Sequence, residues 1–287
     1  MMKYIFKLDK DTNNLNSAFR ELGLSNAAFK KYFYQDLIKV DGKLPHAKKK
    51  ISKNSIIEID IIDEEMSPVG EGAKSPKLLY EDDYIIAINK PARLLTHESK
   101  NFSGHTLRDD IAFYFKNRDI RHPVRFINRL DMDTSGVIII AKSDIAQGYY
   151  AKANKSAIKE YIAVCKGNLY KKTKVDRAIG RDELGIKRKL DEDGLSAKTI
   201  FTPIYNKGDY SIIKAQILTG RTHQIRLHLM SLGIEIIGDN LYGTPSDLID
   251  RQALHSLRYR AHSLDGKKLD IYAPLEEDIL NLIRGIF

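Results

Sequence analysis

Apolar residues recur along this chain at two spacings, and the changes between them mark out its elements. In "LNSAFRELGL", Leu15, Phe19 and Leu22 fall on one helical face, and Gly23 supplies a stop. Ser25 is placed to cap a second helix running to about Tyr34, with Phe29 and Phe33 on one face. "LIKVDGKL" follows, where Asp41-Gly42 predicts a hairpin turn between short strands, and "SIIEIDII" predicts one more strand. The next stretch, "DEEMSPVGEGAKSPK", has prolines, glycines and charges with almost no large apolar residue, and reads as a linker. Beyond it, Tyr84 to Ile88 reads as a strand broken by Lys90-Pro91. "TLRDDIAFYF" reads as an amphipathic helix with Leu107, Ile111 and Phe115 aligned. Val137 to Ala141, "EYIAVCKG", "KTIFTPIYN" and "DYSIIKAQIL" read as strands, and "THQIRLHLMSLG" as a helix after the turn at Gly220. Runs of strands with flanking helices predict an α+β fold: a large mixed or antiparallel sheet, preceded by a small basic α/β unit. The predicted boundaries are 1–62 for the small unit, 63–77 for the linker and 78–287 for the main domain.

Composition adds a partner. At 287 residues, 43% apolar and 30% charged, the chain has ordinary globular proportions, but its net charge is +9. The charge is uneven. Residues 1–62 hold twelve lysines and arginines against seven acids, and Lys39 to Lys53 hold six lysines and one acid. A solvated face is the bland reading. The functional one is a nucleic-acid contact, in which lysines displace counterions from phosphates. Lys30, Lys31, Lys39, Lys43, Lys48, Lys49 and Lys50 are its candidate contacts. The single cysteine, Cys165, excludes an internal disulfide, suggests a reducing compartment and, within an apolar run, reads as a buried inert thiol. The N-terminus is too short and too charged for a signal peptide, and no apolar run reaches the length of a membrane span. A cytoplasmic monomer with no membrane partner is expected.

The densest polar cluster precedes a core strand, in "RFINRLDMDTSGVIIIAKSD". Asp131 and Asp133 lie two apart, and in an extended chain they share a face. "DMDTSG" has turn composition, however, in which one carboxylate often caps the turn. One working carboxylate and one structural one are expected. Metal binding fits poorly: His223 and His228 are five apart, and His97 and His105 in "HESKNFSGH" lack a companion ligand motif. No glycine-rich phosphate loop, dinucleotide fingerprint or nucleophile elbow is present. No metal and no cofactor are expected.

At this point the motifs carry a resemblance. "NRLDMDTSGVIIIAKS" resembles the R-L-D-x-x-T-S-G motif of the RluA-type pseudouridine synthases. "LLYEDDYIIAINKPARLLTH", "KEYIAVCKG", "LTGRTHQIRLHLMSLGIEIIGDNLYG" and "RQALHSLRYRAHSL" are similar to further blocks of that family, in family order, across nearly all of residues 78–275. "AAFKKYFYQDLIKVDGKLPHAKKKISKNSIIEIDI" more weakly resembles the small S-four-type RNA-binding domain that often precedes this catalytic domain. The resemblance implies isomerisation of uridine to pseudouridine within RNA by one aspartate, without a cofactor. By position that aspartate is Asp131. It implies that Tyr161 stacks on the target base, that Arg221 pairs with Asp131, and that Arg129 holds the space left by a flipped-out nucleotide. Thr134 to Gly136 read as turn residues, and His223 and Gln224 as structural. Ribosomal RNA of the large subunit is the commoner substrate in the family, with transfer RNA second. Two positions depart from the pattern: Asn128 stands where histidine is common, and Arg93 where glycine is usual. A non-catalytic RNA-binding protein and a glycosidic enzyme that releases free uracil stay open as other classes.

Overall fold

The computed structural model describes residues 2–98, 104–182 and 187–287. Residues 99–103, within "HESKNFSGH", lie outside the described residues. The chain begins with β1 (Lys3–Lys7), whose alternating burial sends Tyr4 and Phe6 inward. Helix α1 (Leu15–Glu21) is capped by Asn14, which accepts from Ser17 N at 2.8 Å, and α2 (Asn26–Phe33) by Ser25, which accepts from Ala28 N at 3.0 Å. β2 (Ile38–Val40) and β3 (Ile56–Asp60) complete an antiparallel sheet in the order β1-β3-β2. Asp41 and Gly42 do turn the chain, both with positive φ. The returning strand expected after them is reduced to one bridge, Val40 to Lys43, because Pro45 interrupts the donors and β3 occupies the pairing edge of β2.

The remainder runs β4 (Leu78–Glu81), β5 (Ile85–Lys90), α3 (Leu107–Asn117), β6 (Arg125–Phe126), β7 (Ser135–Ala141), α4 (Asp144–Ala153), β8 (Ile158–Lys166), β9 (Thr173–Asp176) and the hairpin β10 (Ile179–Arg181) and β11 (Arg188–Leu190). Then come β12 (Lys198–Lys207), β13 (Tyr210–Ile217), α5 (Gln224–Met230), β14 (Glu235–Ile236), β15 (Leu254–His262), β16 (Lys268–Tyr272) and α6 (Glu277–Ile286). One sheet of 11 strands follows the path β4-β5-β7-β15-β8-β13-β12-β9, with β6 on β7, β14 on β8 and β16 on β15. Among the described residues, only β7 and β15 pair in parallel. The fold is α+β with a large, mostly antiparallel sheet. Among the described residues, no helix is long and apolar enough to cross a membrane.

The apolar runs of β5 and β7 are buried on both faces, which explains why they lack alternation. Ile86, Ile88, Ile138 and Ile140 pack with α3, α5 and α6 on one face. Ile85, Ala87, Val137 and Ile139 pack on the other with α4 and with Tyr4, Phe6, Leu24 and Phe29 of the N-terminal unit. The first 62 residues therefore share a continuous core with the main sheet. Polar contacts reinforce this junction. Tyr32 Oη donates to Asp144 at 2.7 Å, and Lys31 Nζ reaches Asp144 at 2.8 Å and Glu64 at 2.9 Å. Burial would raise the Glu64 carboxyl, but hydrogen bonds from His122 and Lys31, with the Arg125 charge, hold it at about 2. Residues 63–77 form no helix and, before Leu78, no strand, yet they are pinned to α3 and to the loop after it: Lys74 N donates to Asp110 of α3, and Ser67 Oγ accepts from Val124 N.

Candidate active site

The loop from Leu130 to Ser135, between β6 and β7, is tied down atom by atom. Thr96 donates to the Leu130 carbonyl at 3.3 Å, and Thr134 N donates to the Asp131 carbonyl at 3.1 Å. Lys90 Nζ donates to the carbonyls of Pro91, Leu94 and Met132 at 2.7, 2.9 and 2.8 Å. Arg251 donates to the Asp133 carbonyl at 3.1 Å, Gln252 to Thr134 Oγ1 at 3.1 Å, and Ser135 Oγ lies 2.9 Å from His255 Nδ1. Burial pushes Lys90 down to about 7, while Asp133, Asp131 and the three carbonyls favour its charged form. Gly136 has φ +113, and a Cβ there would overlap the Ser256 carbonyl of the parallel neighbour β15. That close approach is why the second residue of the strand is glycine.

Asn128, one of the two departures from the family pattern, has a clear local role. Its amide donates to Val137 O at 3.1 Å and accepts from Ile139 N at 2.8 Å, so its side chain pairs with β7 as a strand residue would. Arg93 takes a left-handed conformation, φ +60, at the position where glycine is usual, and its guanidinium pairs with Asp250 at 2.9 Å.

These ties leave the Asp131 side chain projecting at the junction of two cavities of about 230 and 340 Å³. Two nitrogens face it, and both address Oδ2: Arg226 Nη1 at 3.6 Å and His223 Nε2 at 4.0 Å. Arg226 is held from behind by a bidentate pair with the buried Asp239, at 2.7 and 2.6 Å, and lies 4.9 Å above the Tyr242 ring. Burial would lower its pKa, but Asp239 and Asp131 outweigh that and hold the guanidinium charged.

The smaller cavity is lined by the apolar Tyr161, Ile217 and Leu254 and by the cations Arg129 and Lys159. Tyr161 lies on the central strand β8 opposite Ser256 of β15 and is 6% exposed. Burial pushes its hydroxyl up to about 12; the Ser256 hydroxyl works against that shift and the Asp131 charge with it. Lys159, two residues earlier on the same face, donates to Asn154 O at 2.7 Å, and burial lowers its pKa. Arg129 is exposed and makes no hydrogen bond or ion pair among the described residues.

Two expectations need correction. Arg221 lies on the rim of this cavity, but its Nε donates to Ser196 O at 3.1 Å and it does not pair with Asp131. The residue precedes α5, where Gln224 accepts its backbone N–H at 3.0 Å and turns the side chain outward. Arg226, on the first turn of α5, takes the place beside the carboxylate. Lys31, expected as an RNA contact, is engaged by Glu64 and Asp144 at the junction with the main sheet. Of the other lysines, Lys50 pairs with Asp11 at 3.1 Å on the surface. Lys30, Lys43, Lys48 and Lys49 are exposed and Lys39 half-buried, with no ion pair among the described residues. No cluster of His, Cys, Asp or Glu suited to a metal occurs among the described residues.

Residues 84–231 match the sequence profile of the family described as RNA pseudouridylate synthase. The uncharacterized RNA pseudouridine synthase YhcT of Bacillus subtilis (strain 168) is 35% identical over 244 residues, covering 83% of this chain and 81% of the relative. Ribosomal large subunit pseudouridine synthase D of Haemophilus influenzae is 29% identical over 284 residues, covering 91% of this chain and 87% of the relative. The solved structure of Human RNA Pseudouridylate Synthase Domain Containing 4 aligns with a TM-score of 0.60 at 21% identity, over 73% of this chain and 92% of that one, and shares the fold. The chain belongs to the RNA pseudouridylate synthase family and is an RNA pseudouridine synthase.

Proposed function

We propose that this enzyme isomerises a uridine of large-subunit ribosomal RNA to pseudouridine, with Asp131 as its one catalytic carboxylate. The observation that carries this reading is the position of Asp131: a carboxylate with one oxygen faced by Arg226 and His223, in a cavity that Tyr161 also lines. The reaction conserves every atom. The bond from ribose C1′ to uracil N1 breaks, the ring turns, C1′ bonds to C5, and the proton leaving C5 is matched by one gained at N1. No co-reactant is required. Asp131 faces the ribose and serves by adding to the sugar, by stabilising its positive character, or by taking a proton from it. Arg226, beside its Oδ2, keeps it aimed. Tyr161 offers the flat surface that retains the detached uracil, and its hydroxyl, held protonated, serves as a donor. Arg129, exposed at this cavity and without an ion pair among the described residues, is suited to fill the gap left when the target nucleotide leaves its helix. The N-terminal unit acts as an S-four-type RNA-binding domain through Lys30, Lys39, Lys43, Lys48, Lys49 and Lys50.

The ribosomal target is supported by likeness over 91% of the chain to a relative named for the large ribosomal subunit. Pseudouridine mapping of total RNA, with and without the protein, tests it. The expected result is loss of modification at a uridine of the large-subunit RNA, with no free uracil released. Loss confined to transfer RNA would move the substrate there, and release of uracil would make the enzyme a glycosidase.

A further inference from the structure

His223 caps α5 with a left-handed backbone, φ 58° and ψ 18°, and without a side-chain capping bond. That conformation is unfavourable for a non-glycine residue and persists where the surroundings hold it. Here the ring holds it. Nδ1 lies 2.8 Å from the Tyr242 hydroxyl oxygen, and Nε2 faces Asp131 Oδ2. The same hydroxyl already accepts the backbone N–H of Arg188 at 2.9 Å, from the hairpin strand β11. Its own hydrogen remains available to Nδ1. A neutral ring whose Nδ1 accepts must carry its proton on Nε2, on the side of Asp131. Neutrality is favoured: burial lowers the His223 pKa, and Arg226 and Arg188 push the same way against Asp131 and Asp239. Tyr242 also lies beneath the Arg226 guanidinium and donates its backbone N–H to Asp239 at 3.2 Å. One tyrosine therefore braces both groups that face the carboxylate. Asp131 Oδ1 makes no hydrogen bond or ion pair among the described residues.

We propose that His223 is a positioning residue, fixed as its Nε2–H tautomer by Tyr242, which donates to Asp131 Oδ2 when RNA closes the site and leaves Oδ1 to address the ribose. At 4.0 Å the contact is not yet a hydrogen bond, and such contacts tighten in the substrate complex. The role rests on Asp131 being the catalytic carboxylate. The tautomer does not.

The test uses full-length protein labelled with ¹⁵N-histidine, with the His223 signals assigned through their loss in His223→Asn. An acceptor-type Nδ1 and a protonated Nε2 are expected in the wild type, and a mixture of tautomers in Tyr242→Phe. A protonated Nδ1, or no change in Tyr242→Phe, would overturn the relay. Rates are then read in single turnover on total RNA from cells lacking the protein. His223→Asn accepts the left-handed backbone and reaches only the Nδ1 position, whereas His223→Gln places a donor where Nε2 was. Asparagine is expected to slow the reaction about 10²-fold at unchanged RNA affinity, with glutamine restoring most of the rate. A fully active His223→Asn would reduce His223 to a structural cap. Full activity in Asp131→Asn would remove both the Asp131 reading and the role built on it, while the nitrogen signals still decide the tautomer.

Discussion

Arg221 and Arg226 stand five residues apart at the start of one helix, and only the second reaches the carboxylate. Spacing cannot separate them. Both fall inside "GRTHQIR", and the choice depends on how Gln224 folds the turn, through four side-chain hydrogen bonds that no motif spells out. A signal does exist in Ile225-Arg226-Leu227: an arginine set between apolar residues on a short helix is usually buried only when paired, and Asp239 is its partner. Arg226→Lys is expected to lower the single-turnover rate by about 10²-fold, because an ammonium cannot bridge Asp239 and Asp131 as a planar fork does. Arg221→Ala is expected to leave that rate near wild type. Equal losses from the two substitutions would contradict the geometry. Asp131, Tyr161 and Arg129 are legible because their motifs are local; His223, Lys90 and Lys159 acquire their places only when distant segments meet.

At the scale of elements, the long apolar strands and the helices with clear periodicity are readable, whereas α4 and α6 are not. Helix α4 carries Gly148 and three alanines, a weak apolar stripe, and α6 lies beyond the last motif. The "RQALHSL" segment is visible as a family block, but its purpose emerges only from the parallel pairing of β15 with β7. That pairing sets Arg251, Gln252 and His255 against the Asp133–Ser135 turn. Burial pushes His255 down to about 4, below the usual histidine value near 6.5 in the unfolded chain. The folded protein thus binds fewer protons between these values. The stability that His255 contributes is fully present above pH 6.5 and is lost as pH drops towards 4, roughly 3 kcal/mol in all. Urea midpoints measured across that window should decline for the wild type and much less for His255→Gln. An identical decline in the variant would show that other groups govern the acid limb.

For the molecule as a whole, the charge and the linker-like stretch suggest two parts, but the docking of the first 62 residues on the main sheet is not readable. A linker composition says nothing of whether it is pinned, and the shared core depends on Tyr4 and Phe6 of β1, whose alternation is too short to announce a strand. Deleting residues 1–62 would therefore strip an apolar face of the main sheet, and charge substitution is the sounder probe. Replacing Lys43, Lys48 and Lys49 with glutamine is expected to weaken RNA binding and to flatten its salt dependence, by about 0.7–0.9 in the log–log slope for each phosphate no longer neutralised, with thermal stability unchanged. An unaltered slope would remove the basic face from the account. The most direct test of the central claim is the pseudouridine content of target RNA treated with Asp131→Asn, read alongside RNA affinity. The expected result is no pseudouridine with affinity near wild type. Normal pseudouridine formation by that variant would contradict the assignment of the chemistry to Asp131.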